Sequence, residues 1–149
     1  MGAMNDFPVS VRFPIHWVDM DAYGHVNNAR YLTWFEAARV EYMIRVGLVK
    51  PDMGKLESGV GPIIATASVD YLRPVVFPAE LEVGVRVSRI GTTSITMEYA
   101  VDDVRGGGRY ARGSTVLVVL RYTDHAKVPV PADIRAAIEA LEGRSFAPA

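Results

Sequence analysis

Three side chains able to carry a proton or attack a carbonyl fall close together: Asp19, Asp21 and His25. They belong to the stretch Asp19-Met20-Asp21-Ala22-Tyr23-Gly24-His25-Val26-Asn27-Asn28, a polar turn just ahead of a predicted helix. The first N–H groups of a helix lack intrahelical acceptors and can bind an oxyanion. The helix dipole also favours negative charge at that end. A carboxylate beside such donors can act as base or as nucleophile on a carbonyl they hold. Gly24 allows a ligand to approach the main chain, and Asn27 or Asn28 is suited to cap the helix. Asp, Gly and Asn are equally the residues of an ordinary capped turn, so residue type alone leaves both readings open.

The elements around that turn are legible from pattern. Val9 to Val18 reads as a strand, and Pro14 within it places that strand at an edge or on a bulge, because proline cannot donate to a ladder. The helix runs from the Asn pair to about Val46. It stops at Gly47, where a left-handed residue is wanted, with Arg45 near the negative end of the dipole. Tyr31, Phe35, Ala38, Tyr42 and Val46 form its apolar stripe, widened by Leu32 and Met43. Trp34, Ala37 and Ile44 extend the apolar character around the helix, which predicts an enclosed position. A Gly/Pro-punctuated loop is expected from Val49 to Pro62. Four strands follow at Ile63–Arg73, Glu80–Ile90, Thr93–Asp102 and Tyr110–Thr123, with a glycine-bearing hairpin over Asp103–Gly108. Thr115-Val116-Leu117-Val118-Val119-Leu120 hardly alternates, as expected of a central strand covered on both faces. Pro131 opens a short helix through Leu141, and residues 143–149 read as a loosely held tail. One enclosed helix with one strand before and four after suggests an α+β domain, a curved antiparallel sheet wrapped around the helix. A helix lying flat on an open sheet fits the same pattern.

Two charges interrupt the helix's apolar side. Arg30, Thr33, Glu41 and Arg45 make a solvated stripe, whereas Arg39 falls among Leu32, Phe35 and Val46, and Glu36 beside Leu32 and Met43. A buried charge must be paired, and i, i+3 spacing lets these two meet. The pair is either scaffolding or part of a site at a subunit seam. His16 and His125 read as satisfied loop or strand residues. Three scattered histidines do not have zinc-ligand spacing.

The 149 residues fit one domain. Sixteen basic against seventeen acidic residues leave a net charge of −1, which gives no general field for nucleic acid or an anionic membrane. The absence of cysteine removes disulfides and thiolate chemistry. No apolar run is long enough to span a bilayer and no signal-like start is visible, so a cytoplasmic location is expected. Residues 1–4 resemble a cloning remnant.

The string from Trp17 through Leu32, with Phe35-Glu36-Ala37-Ala38-Arg39 after it, resembles the 4-hydroxybenzoyl-CoA thioesterase family, in its Gly-His-Val-Asn-Asn branch. Val69-Asp70-Tyr71-Leu72-Arg73-Pro74, Glu80-Leu81-Glu82-Val83 and Ser88-Arg89-Ile90-Gly91 extend the likeness over nearly the whole chain. The resemblance implies a hotdog fold, a homodimer often paired again into a tetramer, and hydrolysis of an acyl-CoA or acyl-carrier-protein thioester without metal or cofactor. It implies Asp21 as the catalytic carboxylate, a main-chain N–H at Asn28 or Asn27 as the carbonyl's donor, and Asp19 as a structural companion. His25 would orient water or the carbonyl, or simply satisfy the loop. Gly24, Tyr31 and Glu36 fall on the substrate side, with Trp34, Phe35 and Met53 as apolar lining. Arg73, before Pro74, and Arg89, before Ile90-Gly91, are the candidates for the phosphates of coenzyme A. Thr92 and Thr93 depart from the aromatic-substrate members, which carry basic residues there. Two other functions remain open, a hotdog dehydratase or hydratase using His25 and Glu36, and a module that binds acyl-thioesters without cleaving them.

Overall fold

The computed structural model describes residues 3–50 and 59–148. Strand β1 (Val9–Pro14) is followed by a turn of 3-10 helix at Trp17–Asp19, the Asp21 loop and helix α1 (Arg30–Val46). Strands β2 (Val60–Tyr71), β3 (Glu80–Ile90), β4 (Ser94–Asp103) and β5 (Arg109–Arg121), a two-residue β6 (Ala126–Lys127) and helix α2 (Ala132–Glu142) complete the chain. The antiparallel sheet has the order β1-β3-β4-β5-β2, with β6 on β5. It curls around α1 as the hotdog fold requires.

Pro14 ends β1 rather than sitting in its middle, and β1 is an edge strand paired only with β3 among the described residues. The apolar stripe of α1 meets the sheet as expected: Tyr31, Phe35, Ala38, Tyr42 and Val46 are all buried. Phe35 stacks on Tyr99 of β4 at 4.5 Å between ring centroids. Gly113 of β5 makes this approach possible, because a Cβ there would collide with the Phe35 ring and with the Ser68 carbonyl of β2. Gly47 closes the helix in the left-handed region, with φ of 82°.

The helix is not enclosed on every side. Leu32, Thr33, Glu36 and Ala37 are exposed, so apolar character around the axis does not here mean cover within one chain. Nor is β5 covered on both faces: Thr115, Leu117 and Val119 are buried, while Val116 and Val118 on the opposite face are only half-buried. Its Val-rich run reflects a central position between β4 and β2 more than two-sided burial. The stretch after Gly143 returns to the body, where Phe146 packs on the core and Arg144 donates to the Ser88 carbonyl at 3.1 Å. Glu142, at the end of α2, accepts from the Tyr42 hydroxyl at 2.6 Å and from the Val87 N–H at 2.8 Å, next to the β3 bulge. That joins both helices to the sheet.

Candidate active site

The Asp21 loop is a small hydrogen-bonded platform. Met20 and Val26 form an isolated antiparallel bridge, and the Asp21 N–H donates to the His25 carbonyl at 2.8 Å. Within it, the Gly24 N–H donates to the Asp21 carbonyl at 3.2 Å, a tight turn that Gly24 completes with φ of 85°. No atom lies near a Cβ built at Gly24, so its backbone angle, rather than space, is what calls for glycine. Beneath the turn, the Asp19 carboxylate is buried and accepts from the His16 N–H at 2.7 Å, with Arg30 alongside at 3.4 Å. The Asp19 carbonyl accepts from the Asn27 N–H at 2.9 Å. Asp19 is thus bonded to main chain on both sides of the loop.

Asp21 itself is half-buried. One carboxylate oxygen, Oδ1, accepts from the Tyr23 N–H at 2.9 Å, and no other group among the described residues bonds to the carboxylate. Oδ2 therefore keeps its lone pairs for another partner. The His25 side chain is exposed and has no partner among the described residues.

The start of α1 lies next to this loop. The Asn27 carbonyl accepts from the Arg30 N–H at 3.0 Å, and the Asn27 side-chain oxygen accepts from the Ala29 N–H at 3.0 Å. Neither asparagine caps α1: the cap position is Ala29, which has no side-chain cap bond, and Asn27 instead closes a turn just ahead of the helix. Asn28 is exposed, and its N–H meets no acceptor among the described residues. Its carbonyl accepts from the Tyr71 hydroxyl at 2.9 Å. Tyr71 also packs edge-on against Tyr31, with centroids 4.9 Å apart, and Tyr31 packs against Trp34. Burial pushes the Tyr31 hydroxyl above its ordinary range, opposed by a hydrogen bond with the Val75 main chain.

The other sequence-selected residues separate. Arg73 lies on the Asp21 side, since the Val75 carbonyl accepts from the Val26 N–H at 2.9 Å. Its guanidinium sits over the Tyr110 ring at 4.2 Å. Arg89 lies near the other end of β3, where Ile90 pairs with Ile95; Asp103, whose carboxylate accepts from the Tyr110 hydroxyl, pairs with Leu81. The two arginines are separated by roughly 25 Å of strand, so one chain does not bring them to one diphosphate. Glu36 and Arg39 do pair, at 3.8 Å, but the pair is not buried as expected, since Glu36's side chain is 65% exposed. Arg39, only 8% exposed, also donates to the Tyr99 hydroxyl at 3.4 Å, and that hydroxyl shares a 2.6 Å hydrogen bond with Thr115. A buried cation is tolerable there because it has a polar partner inside and a crevice beside it. That crevice, of about 210 Å³, is lined by Leu32, Thr33, Glu36, Arg39, Ile64 and Thr115 among others. Trp34 and Phe35 belong to the core, not to this crevice. Met53 and most of the Val49–Pro62 loop lie outside the described residues.

Two features escaped the sequence reading. Tyr71 stood inside a recognised block but carried no assigned role. The rim of the Asp21 loop is apolar: Trp17 is 71% exposed and Tyr23 86%, with Val18 and Val76 beside them in exposure and Trp17 packed edge-on against Phe77 at 5.5 Å. Exposed aromatic residues crowded on a chemically equipped loop were the available signal.

A curved sheet over one long helix, with a carboxylate-bearing loop just ahead of that helix, defines a thioester hydrolase of the hotdog class. The chain belongs to the thioesterase-like superfamily, whose model matches residues 15–138. It is similar to a thioesterase from Thermus thermophilus solved with coenzyme A and Zn, at 40% identity and a TM-score of 0.80 over 95% of this chain and 98% of that one. It is also similar to a putative thioesterase, PA2801, from Pseudomonas aeruginosa, at 34% identity and a TM-score of 0.77 over 89% and 98% of the two chains. A curated relative, the uncharacterized protein YsmA of Bacillus subtilis, is 29% identical over 110 residues, 74% of this chain and 68% of that protein. No helix among the described residues is long and apolar enough to cross a membrane. No group of three or more potential ligands there could hold a metal ion.

Proposed function

We propose that the protein hydrolyses an acyl-CoA thioester at the Asp21 loop, with Asp21 as the catalytic carboxylate. The observation that carries this reading is the presence, in the segment ahead of α1, of both a half-free carboxylate on Asp21 and an unclaimed main-chain amide, the Asn28 N–H. A thioester carbonyl seated on that amide would develop its negative charge where a main-chain donor already points. Asp21 then either removes a proton from an attacking water or attacks the carbonyl carbon itself. His25, exposed on the same turn, would orient the water or the leaving thiolate. Gly24 keeps that face of the loop open.

The site is completed by a second copy of the chain. From Ile63 on, β2 has no strand partner on its outer edge among the described residues, and Ile63 to Ser68 are exposed. A long bare edge of this kind is a template for pairing. Beside it lie exposed Leu32 of α1 and Ile64 of β2, which flank the 210 Å³ crevice. Two copies joined through β2 would cover these surfaces and enclose the crevice as room for an acyl group, with Glu36 at its rim and Tyr31 behind the helix start. Arg73, on the Asp21 side, is our candidate for a phosphate of coenzyme A. Arg89, near the far end of β3, does not join Arg73 at that site within one chain. A pantetheine thioester on a carrier protein presents the same reacting group, and a location in the cytoplasm suits either substrate.

The experiment is thiol release followed spectrophotometrically over a panel of acyl-CoA and acyl-carrier-protein thioesters, with enoyl-CoA absorbance read in parallel. Stoichiometric free thiol with turnover is the expected result. Binding without thiol release would leave a holding module, and loss of enoyl absorbance without thiol release would reveal a hydratase.

A further inference from the structure

The thioester reading assigns the carbonyl's grip to the Asn28 N–H, but an amide stabilises a developing charge only if its direction is held before the reaction. The peptide unit that follows Asn28 is clamped at both ends. Its carbonyl, on Asn28, accepts from the Tyr71 hydroxyl at 2.9 Å, and its N–H, on Ala29, donates to the Asn27 side chain at 3.0 Å. The unit before it is held by its carbonyl alone, on Asn27, which accepts from the Arg30 N–H at 3.0 Å. The four polar groups of the two planes thus leave a single donor unclaimed, the Asn28 N–H itself.

Tyr71 comes from a different element. It is the last residue of β2, and its phenol ring is fixed edge-on to Tyr31, 4.9 Å away, one residue into α1. The ring contact sets where the hydroxyl sits, and the hydroxyl sets the rotation of the Asn28 carbonyl. We infer that Tyr71 is a positioning residue for hydrolysis, a strut from β2 that fixes the peptide plane after Asn28 and, by limiting rotation at the Asn28 Cα, keeps the adjoining Asn28 N–H aimed at the thioester oxygen. This rests on the proposal that Asn28 supplies the oxyanion contact, and it adds a residue that does not itself touch the reacting atoms.

Removing the hydroxyl while keeping the ring separates this role from packing. Tyr71→Phe retains the edge-on contact with Tyr31, so folding should hold. The expected result is a kcat lower by roughly tenfold with KM raised by no more than several-fold, since a misaimed group costs up to about a hundredfold. Two inert ligands sharpen the test. Hexanoyl-dethia(carba)-CoA keeps the carbonyl, whereas S-hexyl-CoA has none. Measured by calorimetry, Tyr71→Phe should weaken the first by several-fold and leave the second unchanged. Asn27→Ala, which frees the other end of the same peptide, should reproduce the pattern. A Tyr71→Phe enzyme with kcat within twofold of wild type, or equal weakening of both ligands, would overturn the strut. If wild type bound the carba analogue no better than S-hexyl-CoA, the carbonyl would not be gripped at all, and the oxyanion assignment beneath the strut would fall with it.

Discussion

Asp19 and Asp21 are two residues apart yet occupy opposite situations. Asp19 points inward and is bonded by the His16 N–H, with Arg30 beside it, while Asp21 keeps one oxygen uncommitted. The division follows from environment: the inner carboxylate holds the loop, and the outer one is free for the chemistry we propose. Asp19→Ala should lower unfolding free energy by about 1–3 kcal/mol, the cost of losing a part-buried, charge-assisted bond to the His16 N–H. Urea denaturation measures this, and an unchanged midpoint would contradict the holding role. The same contrast explains what was legible at this scale. A motif of two aspartates before a helix announces a site, but which carboxylate is tied down depends on His16 and Arg30, neither of which is marked by its neighbours in the chain.

At the scale of elements, α1 and β5 are matched through one glycine. Gly113 leaves room for the Phe35 ring, and a methyl group there would meet both that ring and the Ser68 carbonyl. The carbonyl belongs to the β2–β5 ladder and has little freedom to move. Gly113→Ala is therefore expected to cost about 1–3 kcal/mol and lower the melting temperature by several degrees, as overpacking does. A Tm equal to wild type would show that the ring can withdraw. The helix stripe from Tyr31 to Val46 and the Glu80–Ile90 strand were readable in advance, because each follows the period of its element. Two features were not. The open side of α1, with Leu32 and Ala37 exposed, reads as core on a helical wheel, since a wheel cannot distinguish a face covered by the same chain from one that is not. The Glu36–Arg39 pair forms but with its glutamate exposed, and the second acceptor of Arg39, the Tyr99 hydroxyl, comes from a strand sixty residues away.

On the scale of the molecule, the exposed faces of α1 and β2 lie side by side, and the proposed partner copy accounts for both. Ile64→Arg would place a charge in that seam, where burying it unpaired is costly. Light scattering should show a shift from dimer, or dimer of dimers, towards monomer, accompanied by loss of thiol release. A dimeric, active Ile64→Arg protein would place the interface elsewhere. The even charge balance, net −1, suits such self-association better than binding a polyanion.

The central claim is that the Asp21 carboxylate performs the hydrolysis, and steady-state kinetics of Asp21→Asn tests it most directly. The side chain keeps its size and an oxygen able to accept from the Tyr23 N–H, so the melting temperature should stay near wild type. Turnover of the best acyl-CoA should fall by at least about a hundredfold, within the range that a lost general base costs. A folded Asp21→Asn enzyme with near-normal kcat would contradict the account.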